Sequence, residues 1–88
     1  MTIDMQRLAE TVRARCPEAQ AKVLDADAPR IARVEVFDHE WALQATVYGD
    51  GHTHLRDGRL TPARIAVLTA VLEAVREQIA TEERTEGA

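Results

Sequence analysis

A pair of histidines offers the best spacing for metal chemistry in this chain. His52 and His54 flank Thr53 in a segment that is predicted to be a strand. Residues two apart on a strand point to the same face, so both imidazoles could meet one ion. Asp50 could add an oxygen ligand, and His39 lies in a neighbouring turn at an unknown distance. The alternative is two solvated histidines on the open face of an edge strand, because a His-x-His pair alone is unspecific.

Several carboxylates lie in predicted turns, where two roles compete. The residues are Asp38, Glu40, Asp50 and Asp57. Paired carboxylates can act as general acid and base. Asp is also favoured in turns because its side chain bonds to the nearby main chain, and we expect that role here. Asp38, Glu40 and Asp50 remain candidate contacts to a basic partner.

The remaining sequence offers no catalytic constellation. The single cysteine, Cys16, shares a helical spacing with apolar residues and ends a predicted helix, so we expect a buried structural thiol rather than a nucleophile. The chain contains no serine, which excludes a serine nucleophile. It also has no Gly-rich phosphate loop and no cysteine pair for zinc. We therefore expect a non-enzymatic protein without a cofactor.

Size and charge narrow the class further. The chain has 88 residues and a net charge of −4, and Lys22 is the only lysine among 11 basic residues. Without a basic run, we expect no direct nucleic-acid binding. One cysteine, no signal-like segment and no apolar run of ~18 residues predict a cytoplasmic protein without a membrane helix. The many Arg and Ala residues suggest a bacterial or phage source.

Hydrophobic periodicity predicts the elements of one α+β domain over residues 1–81, followed by a polar, disordered tail at 82–88. A first helix spans 3–16 and stops before Pro17. Strands are expected at 21–25, 31–37, 41–48 and 52–56, with a turn at 27–30. Thr61 and Pro62 begin a second helix that ends near residue 80. The fold class is α-β(3-4)-α, an antiparallel sheet with one face covered by two helices.

Alternation in the third strand assigns its faces. Trp41, Leu43 and Val47 share one phase, which predicts that Trp41 packs in the core. Tyr48 has the opposite phase and is expected on the outer face, where it could contact a partner.

The second helix suggests self-association. A line of apolar residues at spacings of three and four runs along it: Ile65, Leu68, Leu72, Val75 and Ile79. The helix is longer than the strands, so we expect Val75 and Ile79 to extend beyond the sheet and contact a second copy. The predicted function is a protein-protein interaction module, a homodimer. Alternatives are an acidic inhibitor that blocks a basic nucleic-acid-binding surface, and a metal- or small-ligand-binding domain at His52 and His54.

Overall fold

A computed structural model describes residues 2–24 and 32–86, with side chains as far as residue 83. The elements are α1 (Met5–Arg15), β1 (Gln20–Leu24), β2 (Arg33–Phe37), β3 (Leu43–Tyr48), β4 (Thr53–Leu55) and α2 (Pro62–Glu86). The turn expected at 27–30 lies outside the described residues. Both predicted helices are present, and the sheet has four strands, where the sequence had left three or four open.

The strands form one antiparallel sheet in the order β1-β2-β3-β4. α1 packs on β1 and β2, and α2 packs on β2 and β3, so both helices lie on the same face. This arrangement confirms the predicted α+β fold. β1 and β4 are the edge strands of an open sheet.

The core lies between the helices and the sheet. α1 contributes Leu8, Ala9 and Val12, and Cys16 follows at its end. Cys16 is buried, as predicted. The sheet contributes alternate residues of β2 and β3, and α2 contributes small and β-branched residues that allow close approach. These are Val34, Val36, Ala45 and Val47 from the sheet, and Val67, Ala70, Val71 and Ala74 from α2.

Polar contacts hold the two helices together on one side of α2. Asp4 caps α1 by accepting a hydrogen bond from Arg7 N at 3.1 Å. Gln78 of α2 accepts from Asp4 N at 2.9 Å and donates to Asp4 O at 2.8 Å. At the other end of α1, Arg15 pairs with Glu73 at 2.8 Å and with Glu77. The flank of α2 that carries these residues therefore faces α1.

The prediction that Trp41 packs in the core is wrong. Trp41 lies before β3, has a φ of 62° and is 62% exposed. Leu43 is also exposed. Neighbouring residues Val36 and Phe37 of β2 pair with Ala45 and Leu43 of β3, so Gln44 between them is an extra residue. The extra residue on β3 is a bulge, and it reverses the phase of the residues before it.

The prediction that α2 ends near residue 80 is also wrong, since the helix continues to Glu86. No Gly or Pro interrupts the sequence between Pro62 and Gly87. Residues 82–86 of the expected tail are therefore helical. Neither helix of the described chain is long and apolar enough to cross a membrane.

Candidate interaction surface

An apolar line on α2 is exposed although the helix also supplies the core. Its members, called the α2 stripe below, are Ile65, Leu68, Leu72, Val75 and Ile79. Ile65 is 48% exposed, Leu72 is 50% exposed and Ile79 is 39% exposed. Leu68 and Val75 are half-buried and pack against the rim of the core. The helix therefore has two apolar lines, and the one with larger side chains faces solvent.

The α2 stripe lies on the flank of α2 opposite to α1. Glu73 and Glu77 face Arg15 of α1. At 3.6 residues per turn, Leu72 and Ile79 lie roughly 100–160° around the helix from these glutamates. Since α1 covers β1 and β2, the opposite flank of α2 points toward the β4 side of the sheet.

Two further leucines, one in β4 and one between β4 and α2, are exposed. Leu55 pairs with the buried residue Ala45, so its side chain points to the helix-covered face of the sheet. Leu60 precedes α2 and is strongly exposed. The α2 stripe and Leu55 together border the β4 edge. Large exposed apolar areas of this kind mark interaction sites in proteins of this size.

The β4 edge presents main-chain groups that have no hydrogen-bond partner among the described residues. Tyr48 N donates to His52 O at 2.8 Å, and Arg56 N donates to Gln44 O at 2.9 Å. The main-chain groups of His52 and Arg56, on either side of β4, therefore face β3. Main-chain direction alternates along a strand, so the N–H and C=O groups of Thr53 and Leu55 point away from β3.

The opposite edge, β1, is partly protected. Arg13 of α1 donates a hydrogen bond to Ala21 O at 2.8 Å. A side chain that binds an edge carbonyl hinders the addition of another strand. Of the two edges, β4 is therefore the more open to pairing.

The turn between β2 and β3 is held by Asp38. Its carboxylate accepts from Glu40 N at 2.8 Å, from Ala42 N at 3.0 Å and from Gln44 Nε2 at 3.0 Å. The hydrogen bond from Ala42 N is the largest influence on the Asp38 carboxyl and lowers its pKa below the usual value, while desolvation acts in the opposite direction. This confirms the structural role that we expected for Asp in this turn. The turn also directs Trp41 outward, with its ring centroid 5.8 Å from that of Phe37.

A cleft of about 450 Å³ lies between this turn and the start of α2. Arg64 lines it and donates hydrogen bonds to Arg59 O at 2.8 Å, to Asp57 O at 3.0 Å and to Arg56 O. Two buried atoms on its walls, Gln44 Oε1 and Arg64 Nε, have no hydrogen-bond partner among the described residues. Both atoms are shielded from solvent, so a ligand could not reach them without movement of the walls. The visible role of Arg64 is structural.

The histidine pair lines a separate hollow of about 300 Å³ with Tyr48 and Asp50. Asp50 accepts from His52 N at 2.9 Å, which is a turn contact. The rings of Tyr48 and His52 lie 6.1 Å apart. Within the described residues, no group of three or more His, Cys, Asp or Glu side chains could hold a metal ion. A zinc ion here would have fewer protein ligands than zinc sites usually provide.

The residues predicted to bind a partner do not form one surface. Asp38 and Glu40 lie at one end of β3, whereas Tyr48 and Asp50 lie at its other end. Val75 and Ile79 lie on α2, where Ile79 is exposed but Val75 is half-buried and packs against the core instead of extending beyond the sheet.

Sequence reasoning missed the exposure of Ile65 and Leu72, because it expected only Val75 and Ile79 of the α2 stripe to extend beyond the sheet. The smaller residues Ala70 and Ala74 could have indicated the true contact face. Small residues at helical spacing favour close packing of a helix on a sheet.

Comparisons with protein-family models, with curated proteins and with solved structures found no match to this chain.

Proposed function

We propose that this chain is a non-enzymatic protein-interaction module that self-associates through the α2 stripe. The exposure of Leu72 is the observation that carries the proposal. This side chain lies at the centre of the stripe and is half exposed, while Val71 beside it is buried in the core. The stripe has alternating spacings of three and four residues, which suit packing against a second helix of the same pattern.

The energy of this contact is moderate. Complete burial of a Leu or Ile side chain contributes roughly 1.5–3 kcal/mol. Ile65, Leu72 and Ile79 are about half exposed, so two copies together gain roughly 5–9 kcal/mol from them. Association costs about 4–15 kcal/mol in lost freedom of motion. A stable dimer therefore needs contacts beyond the stripe.

An acidic inhibitor of a nucleic-acid-binding protein has less support. Asp38 and Asp50 use their carboxylates to hold turns. In the cleft near Asp38, Arg56 and Arg59 line the same walls as the acidic residues. The local charge is therefore mixed and does not imitate a nucleic-acid backbone.

Leu72→Glu tests the proposal by light scattering. The wild-type protein is expected to have the mass of a dimer at high micromolar concentration, and Leu72→Glu the mass of a folded monomer, because a charge cannot be buried at the centre of the contact. Ala66→Glu adds the same charge at an exposed α2 position outside the stripe and should remain dimeric. A monomeric wild-type protein would refute self-association.

A further inference from the structure

We infer that the second copy binds at the β4 edge, so that the two sheets join into one sheet of eight strands while the α2 stripes face each other across Leu55 on its helix-covered face. This inference rests on the proposed self-association and specifies its geometry. The β4 edge and the α2 stripe lie on the same side of the molecule. A single two-fold axis beside β4 therefore places the β4 edge of one copy against the β4 edge of the other. The same axis turns the two α2 stripes toward each other.

Main-chain direction selects the register of the two β4 strands. The outward groups belong to Thr53 and Leu55, which flank His54. Antiparallel pairing centred on His54 places Thr53 of each copy opposite Leu55 of the other and forms about four main-chain hydrogen bonds. A register centred on Thr53 or on Leu55 would leave half of these groups unpaired. His54 then lies opposite His54 of the second copy.

The spacing of the joined sheet leaves room for further apolar side chains between the two α2 helices. Three strand intervals of about 4.8 Å place β3 about 14 Å from β3 of the second copy. Because α2 packs on both β2 and β3, the two helices lie at least this far apart. Directly packed helices lie about 8–10 Å apart, so a gap is left between them. Leu55 of each copy points into that gap from the joined strands. The leucines and the α2 stripes together form a continuous apolar layer.

Charge is also complementary in this register. The Arg56 side chain has no hydrogen-bond or ion-pair partner among the described residues. Pairing centred on His54 places Arg56 opposite His52 of the second copy, beside the turn that carries its Asp50. Asp50 is exposed in that turn, so its carboxylate is open to the long side chain of Arg56. Each copy therefore offers a guanidinium to a carboxylate of the other.

Disulfide formation tests this register. In a Cys16→Ala background, which removes the buried native thiol, His54→Cys should form an intermolecular disulfide under mild oxidation. Opposed residues in a pair without hydrogen bonds have Cα atoms about 4.5 Å apart, within the range of a disulfide. His52→Cys is the matched control. Its two copies would lie about 14 Å apart along the strands and should remain uncrosslinked.

Amide hydrogen exchange gives a second measurement that needs no cysteine. The N–H groups of Thr53 and Leu55 should exchange at least tenfold more slowly in the wild-type dimer than in monomeric Leu72→Glu. The protein could form a dimer in which His54→Cys gives no disulfide and the amides of Thr53 and Leu55 exchange fast. That result would overturn pairing at the β4 edge but would leave the proposal of self-association intact. Crosslinking of Leu55→Cys in place of His54→Cys would overturn the register. A monomeric wild-type protein would overturn both proposals.

Discussion

The guanidinium of Arg64, in the first turn of α2, donates a hydrogen bond to the main-chain carbonyl of Arg59 at 2.8 Å. The same side chain also binds the carbonyls of Arg56 and Asp57. One buried cation thereby organises the segment that leads from β4 to α2. The position of the α2 stripe relative to the β4 edge depends on this connection.

Replacement of Arg64 should lower the free energy of unfolding. Arg64→Ala removes three hydrogen bonds from a charged donor, and we expect it to lower the free energy of unfolding by about 2–4 kcal/mol. Arg59→Ala removes the same charge from an exposed side chain and should change stability by less than about 0.5 kcal/mol. Urea unfolding followed by circular dichroism measures both. Equal effects of the two replacements would contradict a structural role for Arg64.

The turn held by Asp38 predicts a pH-dependent contribution to stability. The pKa of Asp38 is lower in the folded state, so its stabilisation is present above the unfolded pKa of about 3.9 and is lost as the pH falls through the folded value. Asp38→Ala should lower the Tm by roughly 4–8 °C at pH 7, corresponding to about 1 kcal/mol. The difference from wild type should shrink below pH 4.

Asp57→Ala is the control for this measurement. The carboxylate of Asp57 is exposed and accepts no hydrogen bond from the described residues. Its replacement should leave the Tm nearly unchanged at either pH. A Tm difference for Asp38→Ala that stays constant from pH 7 to pH 2 would disprove the ionic contribution.

Because Trp41 is exposed, its replacement should change the free energy of unfolding only a little. A left-handed conformation costs a non-glycine residue about 1–2 kcal/mol, and an aromatic pair contributes about 0.5–1.5 kcal/mol beyond its burial. Trp41→Gly loses the contact with Phe37 but relieves the strain, so we expect stability within about 1 kcal/mol of wild type. Trp41→Ala keeps the strain and should be less stable than Trp41→Gly. A loss of about 3–5 kcal/mol, typical of a core tryptophan, would contradict this exposure.

The histidine pair should not bind zinc within one chain. We expect stoichiometric Zn²⁺ to leave the Tm of monomeric Leu72→Glu unchanged, because the described residues supply two neighbouring imidazoles and no third ligand. Differential scanning fluorimetry measures the shift. If Zn²⁺ raises the Tm of this variant and His52→Ala with His54→Ala abolishes the gain, then one chain binds the metal after all.

Local patterns in the sequence predicted most of the fold. The spacing of Leu8, Val12 and Cys16 defined the buried face of α1, and the alternation of Val34 and Val36 defined the buried face of β2. These predictions succeeded because each depends on a period of 3.6 or 2 within one element.

The interaction surface was harder to predict because two apolar lines compete for the core on α2. The sequence shows Leu72 and Val71 as neighbours of similar hydrophobicity. The structure buries Val71 and exposes half of Leu72, because the small residues Ala70 and Ala74 let the helix approach the sheet along the line of Val71. Such a choice depends on the volume between helix and sheet, which hydrophobic periodicity does not report.

By itself, the sequence determined the α+β class, the helix-strands-helix order of the elements and the burial of Cys16. Only the tertiary structure decided where β3 changes phase, which line of α2 faces solvent and which sheet edge stays open. The bulge at Gln44 depends on pairing with β2, and the exposure of Leu72 depends on packing against the sheet. These properties belong to contacts between elements, whereas periodicity describes one element at a time.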